Sequence, residues 1–312
     1  MTDYVQRYAD KKADELTRKI SKVYAQAAKE VKQKMDSFWE AHKVKAKKML
    51  KDVEDGRITK KDYKDWLRNQ VFQGERWQNK LDDITKTYRS ADKKARELVG
   101  DTDRSVFIEA GNYQAYRTGI DVNGAVSFDM YDRKTVDRLL KNNPQMLPEW
   151  KINEKKDYTW NYNRVNNAVT QGIIQGESVY DIGKRLYKDL SASNASKMDM
   201  FARTAVTGAQ NAGRIERLHE VEEMGIKVKK RWLAIKDKKT RDAHGDLDGD
   251  EKDIDEPFHN EIGDIMYPGD PTADPANTYN CRCTLIYVYP EYKDKQHFEE
   301  HQTYAEWKAS QK

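Results

Sequence analysis

Apolar side chains in the first third of the chain recur at steps of three and four residues: Leu16, Ile20, Val23, Ala27, Val31, Met35 and Phe38, with Lys, Glu and Gln on the intervening positions. That period puts one apolar stripe on a long helix, and the stripe needs a second helix to cover it. Asp55-Gly56-Arg57-Ile58-Thr59 interrupts the pattern, and Thr59 is placed to cap a following helix through Asp62, Tyr63, Trp66, Leu67 and Val71. A third helix is expected to start near Gln73-Gly74-Glu75, to turn Trp77, Leu81, Ile84 and Tyr88 inward, and to end at Gly100-Asp101-Thr102-Asp103. Trp39, Trp66 and Trp77 fall on or beside these stripes, which makes them core between helices rather than a binding surface.

Regularity drops between Gly119 and Trp160, where Asn123-Gly124 signals a turn and Asn142-Asn143-Pro144 stops a helix carrying Val136, Leu139 and Leu140. Helical spacing resumes with Val165, Val169, Ile173 and Ile174. Gly176 is expected to end that helix and Ser178 to cap a short one through Val179, Ile182, Leu186 and Leu190. A further helix runs from about Ser196 to Met224 and stops at Gly225. Beyond it Ile226, Val228, Lys230 and Trp232 alternate as in a strand, and Cys283 to Tyr289 forms a second strand. Between them a turn spans Lys236 to Arg241, and a loop of low regularity runs from Asp246 to Asn280. A loop that long is normally anchored, and His244, Cys281 and Cys283 are the candidate anchors.

The chain has 312 residues, of which 37% are apolar and 35% charged, an unusually polar balance that suggests elongation or a large assembly. No run approaches the roughly 18 apolar residues of a membrane span, and no apolar signal core follows Met1, so no membrane role is expected. Two cysteines cannot make a secreted-type disulfide framework, which points to a reducing cytoplasm as origin. Charge is uneven: 26 Lys+Arg face 17 Asp+Glu in residues 1–100, 14 face 14 in 101–200, and 17 face 22 in 201–312. Lys43, Lys45, Lys47, Lys48 and Lys51 form the densest basic cluster, a place to meet the phosphates of double-stranded DNA, although a solvated helix face explains it as simply.

Cys281 and Cys283 are expected to face opposite ways along an extended segment, so that a disulfide between them would be strained. With His244 they supply three ligand types that suit zinc, and His259 or Asp246 is available as a fourth. The Cys-x-Cys spacing is looser than the usual Cys-x-x-Cys knuckle, and the plain alternative is a buried pair of thiols beside a hydrogen-bonded histidine. Asp246, Asp248, Asp250, Asp253 and Asp255 lack the glycine position of a calcium loop and suit a solvated acidic loop better. A metal-dependent nuclease or hydrolase, with His244 as base and Asp242, Asp246 and Asp248 holding magnesium, is the enzymatic alternative. Arg203, Arg214 and Arg241 would then bind phosphate, but pairing with a neighbouring carboxylate is the simpler expectation. No phosphate-binding glycine loop, nucleophile elbow or dinucleotide fingerprint is present.

A run of residues in the second half resembles the phage head morphogenesis proteins, also called minor head or minor capsid proteins, related to protein F of phage Mu. It comprises Gln175-Gly176-Glu177-Ser178 with Ile182 and Leu186, Ala202-Arg203-Thr204, Asn211-Ala212-Gly213-Arg214, Trp232 leading to Asp237, and Thr240-Arg241-Asp242-Ala243-His244. It continues through Leu247-Asp248-Gly249, Phe258, Tyr267-Pro268-Gly269-Asp270-Pro271 and Asn280-Cys281-Arg282-Cys283-Thr284. Ala205 departs from the acidic residue that the family usually places after Arg-Thr. The resemblance implies a structural protein of the virion head interior or portal vertex, in contact with portal, capsid or scaffold proteins and in some cases the genome, with no catalytic role and with synthesis in the bacterial host cytoplasm. The expected fold is α+β: a mainly helical, elongated N-terminal part and a smaller C-terminal mixed α/β module. The expected segments are a helical region over 1–118, a connector over 119–160, the minor head domain over 161–290 and a tail over 291–312.

Overall fold

The computed structural model describes residues 4–40, 42–72, 75–124, 127–147, 154–175, 177, 179–292 and 302–311. It is an α+β protein with ten α-helices among the described residues and its strands confined to the C-terminal part. The helices are α1 (Tyr4–Glu40), α2 (Lys43–Glu54), α3 (Lys60–Phe72), α4 (Glu75–Asp121), α5 (Arg133–Asn142), α6 (Glu154–Gln175), α7 (Val179–Glu223), α8 (Asp242–Gly245), α9 (Pro275–Thr278) and α10 (Tyr304–Ser310). The strands are β1 (Lys229–Leu233), β2 (Glu251–Asp253), β3 (Phe258–Asn260), β4 (Gly263–Ile265) and β5 (Thr284–Val288). The chain forms two compact units, one of residues 1–17, 98–149 and 199–312, the other of residues 18–97 and 150–198.

In the second unit the stripe of α1 is covered by α4, which runs antiparallel to it. Tyr24 Oη donates to Asp92 Oδ1 at 2.6 Å, Lys34 Nζ to Asp83 Oδ1 at 2.8 Å, and the rings of Phe38 and Trp77 lie 5.3 Å apart. Ile20, Val31, Met35, Leu81, Ile84 and Val165 are all buried in this unit, as the sequence period requires. Val23 is only half-buried and Tyr24 takes the inward place beside it. A turn at His42 separates α1 from α2, a division the hydrophobic spacing did not announce. The break after α2 is where the sequence puts it. Gly56, at φ +71°, donates to Val53 O while Arg57 N donates to Asp52 O, and Thr59 and Asp62 then cap α3 reciprocally. Trp77 is buried and Trp66 half-buried. The expected punctuation at Gln73, Gly74, Gly176 and Ser178, and the side chains of Trp39, Val71, Val179, Ile182, Leu186 and Leu190, lie outside the described residues.

Two expected helix ends are absent. α4 passes through Gly100-Asp101-Thr102-Asp103 without a turn, because Val99, Val106, Phe107 and Ala110 continue the inward face beyond them and are buried. Thr102 Oγ1 donates back to Leu98 O at 2.8 Å, so the polar run is absorbed into the helix. The two helices expected between Val179 and Met224 are likewise one, since Ser191 to Ser196 contains neither Gly nor Pro to break it. α7 does stop at Gly225, whose φ of +84° lets its N–H reach Glu222 O and that of Ile226 reach Val221 O.

In the first unit α4 and α7 approach backbone to backbone: a Cβ on Gly213 would lie 2.4 Å from Phe107 O. Against this pair folds the extended segment before α5, where Asn112 holds Tyr131 through both N–H and C=O, at 2.7 and 3.0 Å. Arg217, fully buried, stacks 3.8 Å from the Tyr131 ring and donates to Asp129 O and Glu220 Oε2. The sheet order is β2-β1-β5, antiparallel throughout, with Arg231 opposite Glu251 and Ile286. Ile226, Val228, Lys230 and Trp232 are buried, as their alternation predicts. The stretch 246–280 is more ordered than expected: it contains β2, the β3–β4 hairpin and α9, with Phe258 and Ile265 paired and buried. α10 closes the unit, its Tyr304 ring 5.2 Å from Tyr4 and its Lys308 2.6 Å from Glu109, which also accepts from Tyr4 Oη at 2.7 Å.

Candidate functional site

His244, Cys281 and Cys283 meet. The single turn of α8 carries His244 inward, and its ring is buried against Trp232, 5.4 Å between centroids. Both sulfurs face one ring nitrogen: Cys281 Sγ lies 3.5 Å and Cys283 Sγ 3.7 Å from His244 Nδ1. The expectation of opposite-facing cysteines is overturned, because positions i and i+2 of an extended chain share a face. Both thiols are buried and free of disulfide.

The ring's proton can be placed from the backbone outward. Ile262 N and Gly263 N donate to Asn260 Oδ1, at 2.9 and 3.2 Å, which turns Asn260 Nδ2 to donate to Asn277 Oδ1 at 3.0 Å. That oxygen, already an acceptor, lies 2.9 Å from His244 Nε2, so the neutral ring carries its proton on Nε2 and presents the Nδ1 lone pair to the two sulfurs. Asn277 is fully buried on α9, and sequence reasoning missed it; an Asn within a polar, proline-rich loop gives no signal of its own. The thiols differ in acidity. A hydrogen bond from Cys281 lowers the Cys283 thiol, and the same bond together with burial raises that of Cys281.

The other motif residues hold this arrangement in place. Thr204 Oγ1 accepts from Asn280 N at 3.0 Å, Thr207 Oγ1 donates to Cys281 O at 3.2 Å, and Asn211 Nδ2 donates to Pro268 O at 2.9 Å, so one face of α7 docks the second half of the loop. Gly269, at φ +82°, touches the α7 backbone where a Cβ would lie 2.5 Å from Gly208 N. Asp270 accepts from Met266 N, Thr272 N and Thr272 Oγ1, closing the turn around it. Arg203 pairs with Asp14 at 3.0 Å as expected, but Arg214 and Arg241 donate to the carbonyls of Leu285 and Tyr279. Ala205 is buried.

The remaining candidates lie elsewhere. His259 is exposed and bonded to Asp264 at 2.5 Å, and Asp246 is exposed. Asp248 accepts from Ala234 N and pairs with Lys236 at 2.9 Å, while Asp253 pairs with Lys229 at 3.3 Å. Among the described residues, two groups could hold a metal: His244 with Cys281 and Cys283, and the half-exposed His219 and Glu222 with exposed Asp255. Neither joins His244 to a carboxylate. Lys43, Lys45, Lys47, Lys48 and Lys51 are all exposed on α2, with Lys43 3.2 Å from Glu40 and Lys45 over the Trp66 ring.

Several motif residues are spent on internal packing around the β-strands, as the contacts of Thr204, Thr207, Asn211 and Gly269 show. Residues 163–286 match a family model described as Phage Mu protein F like protein. The chain is similar to the minor head protein GP7 of Bacillus phage SPP1, 23% identical over 282 residues that cover 90% of this chain and 85% of that protein. It is also similar, 34% identical over 158 residues, to the NAD(+)–arginine ADP-ribosyltransferase EFV of Enterococcus faecalis; the match covers 47% of this chain and spans 31% of that protein. No solved structure matches the chain.

Proposed function

We propose that the protein is a structural component of the phage head, built in during head assembly at the portal vertex and in contact with portal, capsid or scaffold proteins, with no catalytic turnover of its own. The observation that carries this is the likeness to the minor head protein GP7 along 90% of the chain. The geometry supports it: His244, the one histidine among the motif residues, is buried and turned to Asn277 and two thiols rather than to a carboxylate or an open cleft. The exposed lysines of α2 add a contact with packaged duplex DNA through its phosphates.

Co-expression of the full chain with its phage's portal, scaffold and major capsid proteins tests the reading. The protein is expected to sediment with portal-containing particles and to be missing from particles assembled without portal. Its absence from every particle, with normal yield and shape of heads, would overturn the assignment. Incubating the same particles with labelled NAD+, and separately with duplex DNA and magnesium, tests catalysis; transfer of label or cleavage that depends on His244 would make the protein an enzyme.

A further inference from the structure

We propose that His244, Cys281 and Cys283 bind a thiophilic divalent cation, zinc by chemistry, which ties α8 to the start of β5. Two features of the geometry converge on it. Zinc–sulfur bonds of about 2.3 Å and zinc–nitrogen bonds of about 2.05 Å set the sulfur-to-nitrogen edge of a tetrahedron at about 3.6 Å. The two edges here are 3.5 and 3.7 Å, so the ligand atoms already stand at coordination spacing without rearrangement.

The second feature is the direction of the ring. The chain of donors from Ile262 and Gly263 through Asn260 and Asn277 fixes the proton on Nε2, which leaves Nδ1 as the donor atom facing the sulfurs. A metal-bound imidazole needs such an outer partner to hold its tautomer and orientation, and Asn277 fills that place.

Two thiolates and an imidazole select zinc over magnesium or calcium, which prefer oxygen. Binding releases the two thiol protons to solvent. Among the described residues no further His, Cys, Asp or Glu joins the three. The role is structural: the metal joins the two ends of the excursion of residues 245–280, adding to the hydrogen bonds that already hold them.

The test uses the full chain, purified without chelator. It is expected to contain about one zinc per chain. Exchange for cobalt should give thiolate-to-cobalt charge transfer in the near ultraviolet and the strong visible bands of a four-coordinate site. Cys281→Ser with Cys283→Ser is expected to lower bound zinc at least about tenfold. Should that variant not fold, the native protein answers by itself: a mercurial that titrates thiols is expected to release zinc in step with two thiols, and chelation should expose the 245–280 region to protease. Less than about a tenth of an equivalent of zinc with no cobalt spectrum, or full occupancy retained in the double variant, overturns the proposal.

Discussion

At the scale of single residues, the sequence showed which side chains matter but not how they are joined. His244, Cys281 and Cys283 stand out in any reading of the chain, whereas the amide pair Asn260 and Asn277 that orients the histidine is invisible, because a buried Asn and a loop Asn look alike until the fold brings them together. Arg214 and Arg241 were expected to meet carboxylates, and each donates to a backbone carbonyl, of Leu285 and Tyr279. Lys230 was placed by alternation on the inner face of β1, and it is there, donating to Ile254 O at 2.7 Å with its amine 5.5 Å from the Phe258 ring. Burial pushes its pKa down to about 8. The unfolded chain, with an ordinary lysine near pKa 10.4, therefore binds more protons between those values, and stability gains from this residue as pH rises from about 8 to 10.4. Below pH 8 both states are charged and the penalty is constant. Urea unfolding of the protein and of Lys230→Met across this range is expected to show that the difference between them is flat below pH 8 and shifts in favour of the lysine form above it; a difference that stays constant to pH 10 would mean the amine is not buried.

At the scale of elements, hydrophobic period was a good guide and punctuation a mixed one. Gly56, Asn123 and Gly225 end helices because each adopts a positive φ that lets two N–H groups turn back onto the last carbonyls. Gly100 has the same residue type in a similar polar setting and does nothing of the kind, since the apolar face of α4 continues past it to Phe107 and Ala110. Tertiary burial of the next turns outweighs one glycine, whose cost in a helix is only about 1 kcal/mol. Gly100→Ala is accordingly expected to stabilise the protein by roughly 0.5–1 kcal/mol, as the Arg104 guanidinium 3.1 Å away swings aside. Loss of stability in a urea titration would indicate instead that the helix ends there. The small strands β2, β3 and β4 escaped notice for a different reason: three-residue strands leave too few alternations to read, and the partner of Phe258, the ring of Trp232, lies far away in the sequence.

At the scale of the whole molecule, the division into units was the least legible feature. Long helices contribute to both units, and periodicity records which face of a helix is covered but not by what. The family motifs, by contrast, could be read directly, because Gly213 against Phe107 and Gly269 against Gly208 are close approaches that admit no side chain. Charge belongs to this scale as well. If α2 neutralises three phosphates, affinity of the full chain for random duplex is expected to fall about forty-fold over a four-fold rise in salt, at a slope near −0.9 per phosphate. Replacing Lys47, Lys48 and Lys51 with Glu should abolish that dependence in a filter-binding assay; unchanged retention would remove α2 from any contact with DNA. Glu109, finally, receives Tyr4 on one carboxylate oxygen and Lys308 on the other, so a single acidic side chain in the C-terminal part of α4 fastens both extremities of the described chain to one spot. Donor and acceptor fluorophores attached beside residues 4 and 308 would thus exchange energy efficiently in the native molecule, and dimming of that signal would time the moment the last helix lets go.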